Sequence, residues 1–209
     1  MTPQPRTIAA FDFDGTITTG DSLKAFVLHT VGAARFAAAG VLAAPRLIGM
    51  AARLCDRGAA KAGFLRHALA GVSRARLEQA ARDFCASRLP AMIRPEMIER
   101  IRAHQALGHE VVIVSASPSL YLWIWASESA GIRTVLSTRL ELDDRGFAGR
   151  FIGRNCWGPE KVARLQAWWR DDPPATLFAY GDSRGDKEMA ERADIAWIRG
   201  TGELPPLSR

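Results

Sequence analysis

The 209-residue chain is poor in several things, and each scarcity excludes something. Three cysteines, Cys55, Cys85 and Cys156, are too few and too scattered for a disulfide framework or a CxxC-type zinc site. Reduced thiols and a cytoplasmic setting are therefore expected. The opening MTPQPRT has no basic stretch leading into an apolar run and a small-residue cleavage site, so no signal peptide is expected. The longest apolar run, residues 36–45 between Arg35 and Arg46, is half of the roughly 20 residues a membrane span needs, and no transmembrane helix is expected from it. Lysine is rare, four of 28 basic residues, a bias that together with the many alanines is attributed to genome composition. Internal repeats and low-complexity linkers are missing.

What is present is ordinary globular material: 48% hydrophobic and 24% charged residues, enough for one large domain or a core carrying a smaller module. The charge is uneven. Residues 20–90 hold 11 Lys and Arg against 4 Asp and Glu, whereas the rest holds 17 against 18, so the whole +6 excess sits in one segment. A solvated face accounts for such an excess, and so does an anionic partner.

Short apolar runs rich in β-formers, at residues 7–13, 111–114, 134–136, 176–180 and 195–198, read as strands buried on both faces. Between them, residues 96–107, 120–130, 160–169 and 186–192 carry the period of amphipathic helices. The alternation predicts an α/β fold, a doubly wound parallel sheet. Two segments break the rhythm. Residues 20–90 show only helical spacing of Ala, Leu and Arg, which predicts a helical cap inserted into a core formed by 1–19 and 91–209. Residues 139–152 alternate around Asp143, Asp144, Arg145 and Gly146, the signature of a β-hairpin. The tail from Leu204 is expected to be loose.

Ligands of an open parallel sheet bind at the carboxyl ends of its strands. Three predicted strands end in polar residues: Asp12-Phe13-Asp14-Gly15-Thr16, Ser115-Ala116-Ser117, and Asp182-Ser183-Arg184-Gly185-Asp186. Asp12 and Asp14, two apart in a strand, point the same way and repel, and they interrupt an apolar run. A hard divalent cation removes that cost, Asp182 supplies a further carboxylate, and Mg²⁺ is the natural candidate. The Ser115 hydroxyl and Ala116 amide can hold a phosphate oxygen. Alone, Ser115 reads more readily as a turn or cap residue, and Lys161 as a solvated helix residue. His29, His67, His104 and His109 lack metal-ligand spacing; Trp123, Trp125, Trp168 and Trp169 read as packing; Cys85 has no activating partner.

In order, the FDFDGTIT, VVIVSAS, GPEKVARL and AYGDSRGDKEM stretches resemble the four motifs of the haloacid dehalogenase-like superfamily across almost the whole chain. The inserted helices resemble the cap of the subfamily containing phosphoserine phosphatase, subfamily IB. The resemblance implies that Asp12 is a nucleophile forming an aspartyl-phosphate and that Asp14 is the general acid and then the base. It implies Mg²⁺ held by Asp12, the Asp14 backbone carbonyl, Asp182 and Asp186, and a phosphoryl pocket of Ser115, Ala116, Lys161 and Gly15. Asp14 separates phosphate ester hydrolysis from the family's dehalogenases, since an alkoxide leaving group needs a proton and a halide does not.

For the substrate, Asp21 and Arg66 lie near where phosphoserine phosphatases bind the amine and carboxylate. The longer cap and the stretch from Arg199 to Leu204 instead resemble the branch containing bacterial phosphatidylglycerophosphatase C. The implied partners are a phosphorylated small molecule, phosphoserine among them, or a phospholipid head group, with peripheral contact to an anionic membrane; nucleic acid is not expected. A reading of another class, a noncatalytic phosphoacceptor like a signalling receiver, shares the aspartate, serine and lysine but not the Asp12-x-Asp14 pair or the cap.

Overall fold

The computed structural model describes residues 5–52 and 55–207. Six strands form one sheet in the order β4-β3-β2-β1-β5-β6: β1 (Thr7–Phe11), β2 (Glu110–Pro118), β3 (Thr134–Asp143), β4 (Gly146–Ile152), β5 (Thr176–Gly181) and β6 (Ile195–Ile198). Every pairing is parallel except β3 with the edge strand β4. The α/β fold expected from the alternating pattern is the fold observed.

Alternation along the central strands builds two apolar layers. Ala9 and Phe11 of β1, Val111 and Ile113 of β2, and Phe178 and Tyr180 of β5 face one side. It is covered by α4 (Pro95–Ala106) and α5 (Ser119–Ser129). Ile8, Ala10, Val112, Val114, Leu177 and Ala179 face the other, under α6 (Pro159–Trp169) and α7 (Lys187–Arg192). Burial on both faces is why these strands are unbroken apolar runs.

Between β1 and α4 the chain inserts three further α-helices: α1 (Ser22–Ala51), α2 (Arg57–Ala68) and α3 (Arg74–Ser87). Their starts are written in the sequence, because Asp21, Asp56 and Ser73 each accept a hydrogen bond from the backbone N–H three residues on. The expectation of no membrane span rested on residues 36–45 alone; taken over Ser22–Arg46, α1 is long and apolar enough to cross a membrane by length and composition only. An unbroken run is a stricter measure than an average, and Lys24, His29 and Arg35 interrupt the run without making the helix polar.

Two further expectations need correcting. The third strand does not stop at Leu136 but continues without a break into the first arm of the hairpin, because Ser137 and Thr138 remain paired with β2. The tail is not loose as far as Leu207: Leu204 and Leu207 lie against the core, and the Pro205 carbonyl accepts a hydrogen bond from Arg100. The hairpin turn itself falls where expected, with Arg145 N donating to Asp143 Oδ1 at 2.8 Å.

Candidate active site

β1 lies between β2 and β5, so its carboxyl end is the point where the strand order turns from one half of the sheet to the other. Asp12, the first residue beyond β1, is tied there by its N–H donating to the Tyr180 carbonyl at 2.9 Å. The chain then coils tightly through residues 13–17. Gly15 sits at φ 76°, and a Cβ there would lie 2.0 Å from Asp182 Oδ2, so only glycine lets this turn approach the β5 loop. Arg199, just past β6, braces the same turn by donating to the Gly15 and Thr16 carbonyls at 2.9 and 3.2 Å.

Lys161, in the first turn of α6, is 1% exposed and points its ammonium at two carboxylates, Asp12 Oδ1 and Asp186 Oδ1, each at 2.5 Å. Asp186 is held in turn: its other oxygen accepts from the N–H groups of Asp182 and Ser183 at 3.1 Å and from Ser183 Oγ at 3.2 Å. The carboxylate oxygens of Asp12, Asp182 and Asp186 come within 4.8 Å of one another. Burial pushes the Asp12 carboxyl up to about 7 against the opposing pull of Lys161, with Asp186 and Asp14 raising it further. The two carboxylates hold Lys161 in its charged form despite its burial. One ammonium thus faces three carboxyl groups, and a divalent cation fits the uncompensated charge.

Asp14 does not join that cluster. Its carboxyl turns the other way, accepting from Ser22 N at 2.8 Å and from the Ser117 hydroxyl, and burial raises its pKa. Behind it, Ser22 Oγ meets the Tyr121 hydroxyl at 2.8 Å. The two aspartates of one motif therefore occupy different environments, one against the Lys161 ammonium and one against an N–H and a hydroxyl. Ser115 is buried beside the site, its Oγ accepting from Ser117 N at 3.1 Å.

These residues open onto a cavity of about 700 Å³ that Asp12, Asp14, Gly15, Ser115, Ala116, Lys161, Asp182 and Asp186 all line. The helices between β1 and β2 supply its other walls: Leu23, Phe36, Met50 and Phe64 make an apolar side, and Arg57 and Lys61 a basic one. Asp21 reaches the cavity, but its carboxylate caps α1 by accepting from Lys24 N at 2.9 Å. Arg66 does not reach it. That side chain is exposed and runs beside Gly149 of β4, because residue 66 falls on a different face of α2 from Arg57, Lys61 and Phe64.

Two side chains that line the cavity were not singled out from the sequence. Lys61 donates to the Ala116 carbonyl at 2.7 Å from across the cavity, and burial pushes its ammonium down to about 8. Trp157 lies with the Arg57 and Arg184 guanidinium groups 5.1 and 5.8 Å from its ring centre. A Cβ on Gly185 would strike its Nε1 at 2.4 Å. A lysine in a chain with only four was the one available signal for Lys61; for Trp157 the neighbouring GPEK stretch was the signal.

A buried lysine between two aspartates, with an acidic cluster at the switch point of a parallel sheet, fits the haloacid dehalogenase-like motifs of the sequence. Residues 9–191 match the haloacid dehalogenase-like hydrolase family, and the chain belongs to it. It is 38% identical over 190 residues to the protein CicA of Caulobacter vibrioides, covering 90% of this chain and 83% of that one. In structure it is similar to a protein of unknown function from Bordetella pertussis Tohama I, with a TM-score of 0.77 and 23% identity over 92% of this chain and 89% of that one. It is also similar to a phosphoserine phosphatase described as a phospho-aspartyl intermediate analogue, with a TM-score of 0.65 and 16% identity over 92% and 86%. The enzyme class and the fold are consistent with a phosphatase.

Proposed function

We propose that the protein is a Mg²⁺-dependent phosphomonoesterase that works through an aspartyl-phosphate on Asp12. The observation that carries this reading is the Asp12–Lys161–Asp186 contact, with Asp182 beside it, at the mouth of a cavity large enough for an organic phosphate. An Asp12 oxygen attacks phosphorus, the ester oxygen departs, and water then cleaves the acyl-phosphate to release inorganic phosphate and the free carboxylate. Asp14 delivers the proton to the departing oxygen and recovers one from the attacking water; its raised pKa, set by burial, suits a group that must start protonated. Lys161, with the Ser115 hydroxyl and the Ala116 N–H, stabilises charge on the phosphoryl oxygens. Mg²⁺, held by Asp12, Asp182 and the Asp14 carbonyl with Asp186 beside them, would offset the negative charge of nucleophile and phosphate and let them approach.

For the substrate, the cavity favours a phosphate joined to an apolar body. Phe36, Met50, Phe64 and Leu23 form a wall that a phosphorylated amino acid cannot use, and the phosphoserine reading loses Arg66 to the surface and Asp21 to a helix cap. A phospholipid such as phosphatidylglycerophosphate suits both walls, its apolar part the Phe36, Met50, Phe64 and Leu23 side and its further anionic oxygens Arg57 and Lys61. Phosphate release is the test: with Mg²⁺, nitrophenyl phosphate and phosphatidylglycerophosphate in mixed micelles are hydrolysed, and excess chelator stops both. Faster hydrolysis of phosphoserine than of the lipid at matched concentration would overturn the substrate assignment; stoichiometric phosphorylation without turnover would overturn the enzyme.

A further inference from the structure

α1 bends at Gly32, whose φ of 77° and ψ of 168° interrupt the helix. The limb before the bend belongs to the core: Phe26 and Val27 are fully buried, and the Phe26 ring lies 5.7 Å from Phe84 and 5.1 Å from Tyr121. The limb after it, residues 33–51, lies against α2, with Ala39 and Ala43 buried and Phe36 meeting Phe64 edge-on at 5.2 Å. Its outer side is bare. Val41, Leu42 and Ile48 are 74%, 62% and 68% exposed, and Ala34, Ala38 and Pro45 around them are exposed as well. Their spacing is that of one helical face, and no polar side chain interrupts it. Among the described residues five large apolar side chains are exposed, and three of the five share this stripe.

The charge around the stripe has one sign. From Ser22 to Cys55 the sequence contains no acidic residue, and the limb that carries the stripe holds Arg35 and Arg46. We propose that the outer face of residues 33–51 is a membrane-docking surface, which lies flat on an anionic lipid bilayer and sets Val41, Leu42 and Ile48 among the head groups and upper acyl chains. A basic surface beside an apolar stripe is the composition that binds anionic lipid, since it combines buried apolar area with electrostatic attraction. A second copy of the chain meets like charge there. A protein partner gains no directional hydrogen bond from a stripe made only of Ala, Val, Leu, Ile and Pro. Nor can the helix span the bilayer, despite its length and composition, because its first limb is core, it breaks at Gly32 and its second limb is covered on one side by α2.

The same limb carries Phe36 and Met50 of the cavity wall, so docking holds the cavity close to the lipid surface. The inference extends the lipid reading of the substrate without depending on it, and the two fail separately. Co-sedimentation of the full chain with vesicles of equal parts phosphatidylglycerol and phosphatidylcholine is expected to show binding that weakens as salt rises. Vesicles of phosphatidylcholine alone are expected to bind at least about tenfold less. Replacing the three exposed side chains together, Val41→Ser, Leu42→Ser and Ile48→Ser, is expected to cost about tenfold or more in partitioning. Hydrolysis of soluble nitrophenyl phosphate by that variant is expected to be unchanged, which shows it folded. No binding to the anionic vesicles, or equal binding by the triple variant, overturns the proposal. So does a dimer in solution that the triple variant converts to monomer, because the stripe is then an interface between copies. Vesicle binding without hydrolysis of phosphatidylglycerophosphate leaves the docking surface standing and removes the lipid from the list of substrates.

Discussion

The Lys161 ammonium lies 2.5 Å from Asp12 Oδ1 although 149 residues separate the two in the chain. Both are buried, and a buried ammonium is tolerated only where carboxylates surround it. The contact is therefore a structural commitment and, in the proposed mechanism, a catalytic one, and the first predictions follow from it.

Asp12→Asn is expected to abolish turnover of nitrophenyl phosphate, because an amide neither attacks phosphorus nor ligates Mg²⁺ well. Lys161 keeps Asp186 as its partner, so the variant is expected to remain folded by circular dichroism. Retention of even about a tenth of the activity would count against a covalent route through this residue.

Lys161→Ala is expected to lose about 2 to 4 kcal/mol of transition-state stabilisation, the range for removing one preorganised electrostatic donor. Ser115→Ala should lose less. In the lysine variant three carboxyl groups are left without their ammonium, so Mg²⁺ is expected to raise its melting temperature more than it raises that of the wild type. Equal shifts would mean that the cation does not sit among these carboxylates.

Asp14→Asn is expected to slow alkyl phosphates far more than nitrophenyl phosphate, since nitrophenolate departs without a proton. Ser117→Ala, which strips one hydrogen bond from Asp14, should move the pH dependence of alkyl phosphate turnover while leaving a smaller effect on rate. Losses of equal size for both leaving groups would remove Asp14 from the role of acid.

Gly15→Ala places a methyl group 2.0 Å from Asp182 Oδ2 at a φ of 76° that L-residues rarely adopt. Activity should fall at least about tenfold, with half-saturation by Mg²⁺ moving to higher concentration. An unchanged Mg²⁺ titration would show that Asp182 does not depend on this turn.

Away from the site, His104 is buried between the Tyr180 hydroxyl and His109, each at 2.8 Å. Burial, with Arg100 and His109 adding to it, pushes its pKa down to about 3 from an ordinary value of 6.5. In that window the unfolded chain binds more protons than the folded one. The stability this group contributes is complete above about 6.5 and is lost as the pH falls toward 3, with a slope of at most about 1.4 kcal/mol per pH unit. Denaturant titrations across that range should show a shallower acid loss in His104→Gln.

The local pattern of the sequence determined a good deal. Apolar runs at residues 111–114 and 176–180 had to be strands, because both faces of a central parallel strand are buried and periodicity has nothing else to report; the run at 195–198 is also a strand, but against the expectation it is buried only in part, because β6 lies at the edge of the sheet. Asp12, Asp14 and Asp182 stood out because carboxylates at the ends of apolar runs are costly without a purpose, whereas Asp186 was named only through the family resemblance. Other features depended on distance in space. Whether Asp14 joins the acidic cluster or turns to Ser22 and Ser117 is set by a turn of five residues and by two donors from other elements, the Ser22 N–H and the Ser117 hydroxyl. Lys61 and Arg66 lie five residues apart on one helix, and only the way α2 lies across the cavity and against β4 decides that the first faces Ala116 and the second faces away. The run from Phe36 to Pro45 announced an apolar helix, but the bend at Gly32 and the cover given by α2 decide which side stays bare. A sequence states the preferences of each residue and its near neighbours; which face of an element meets another element is a property of the packed whole.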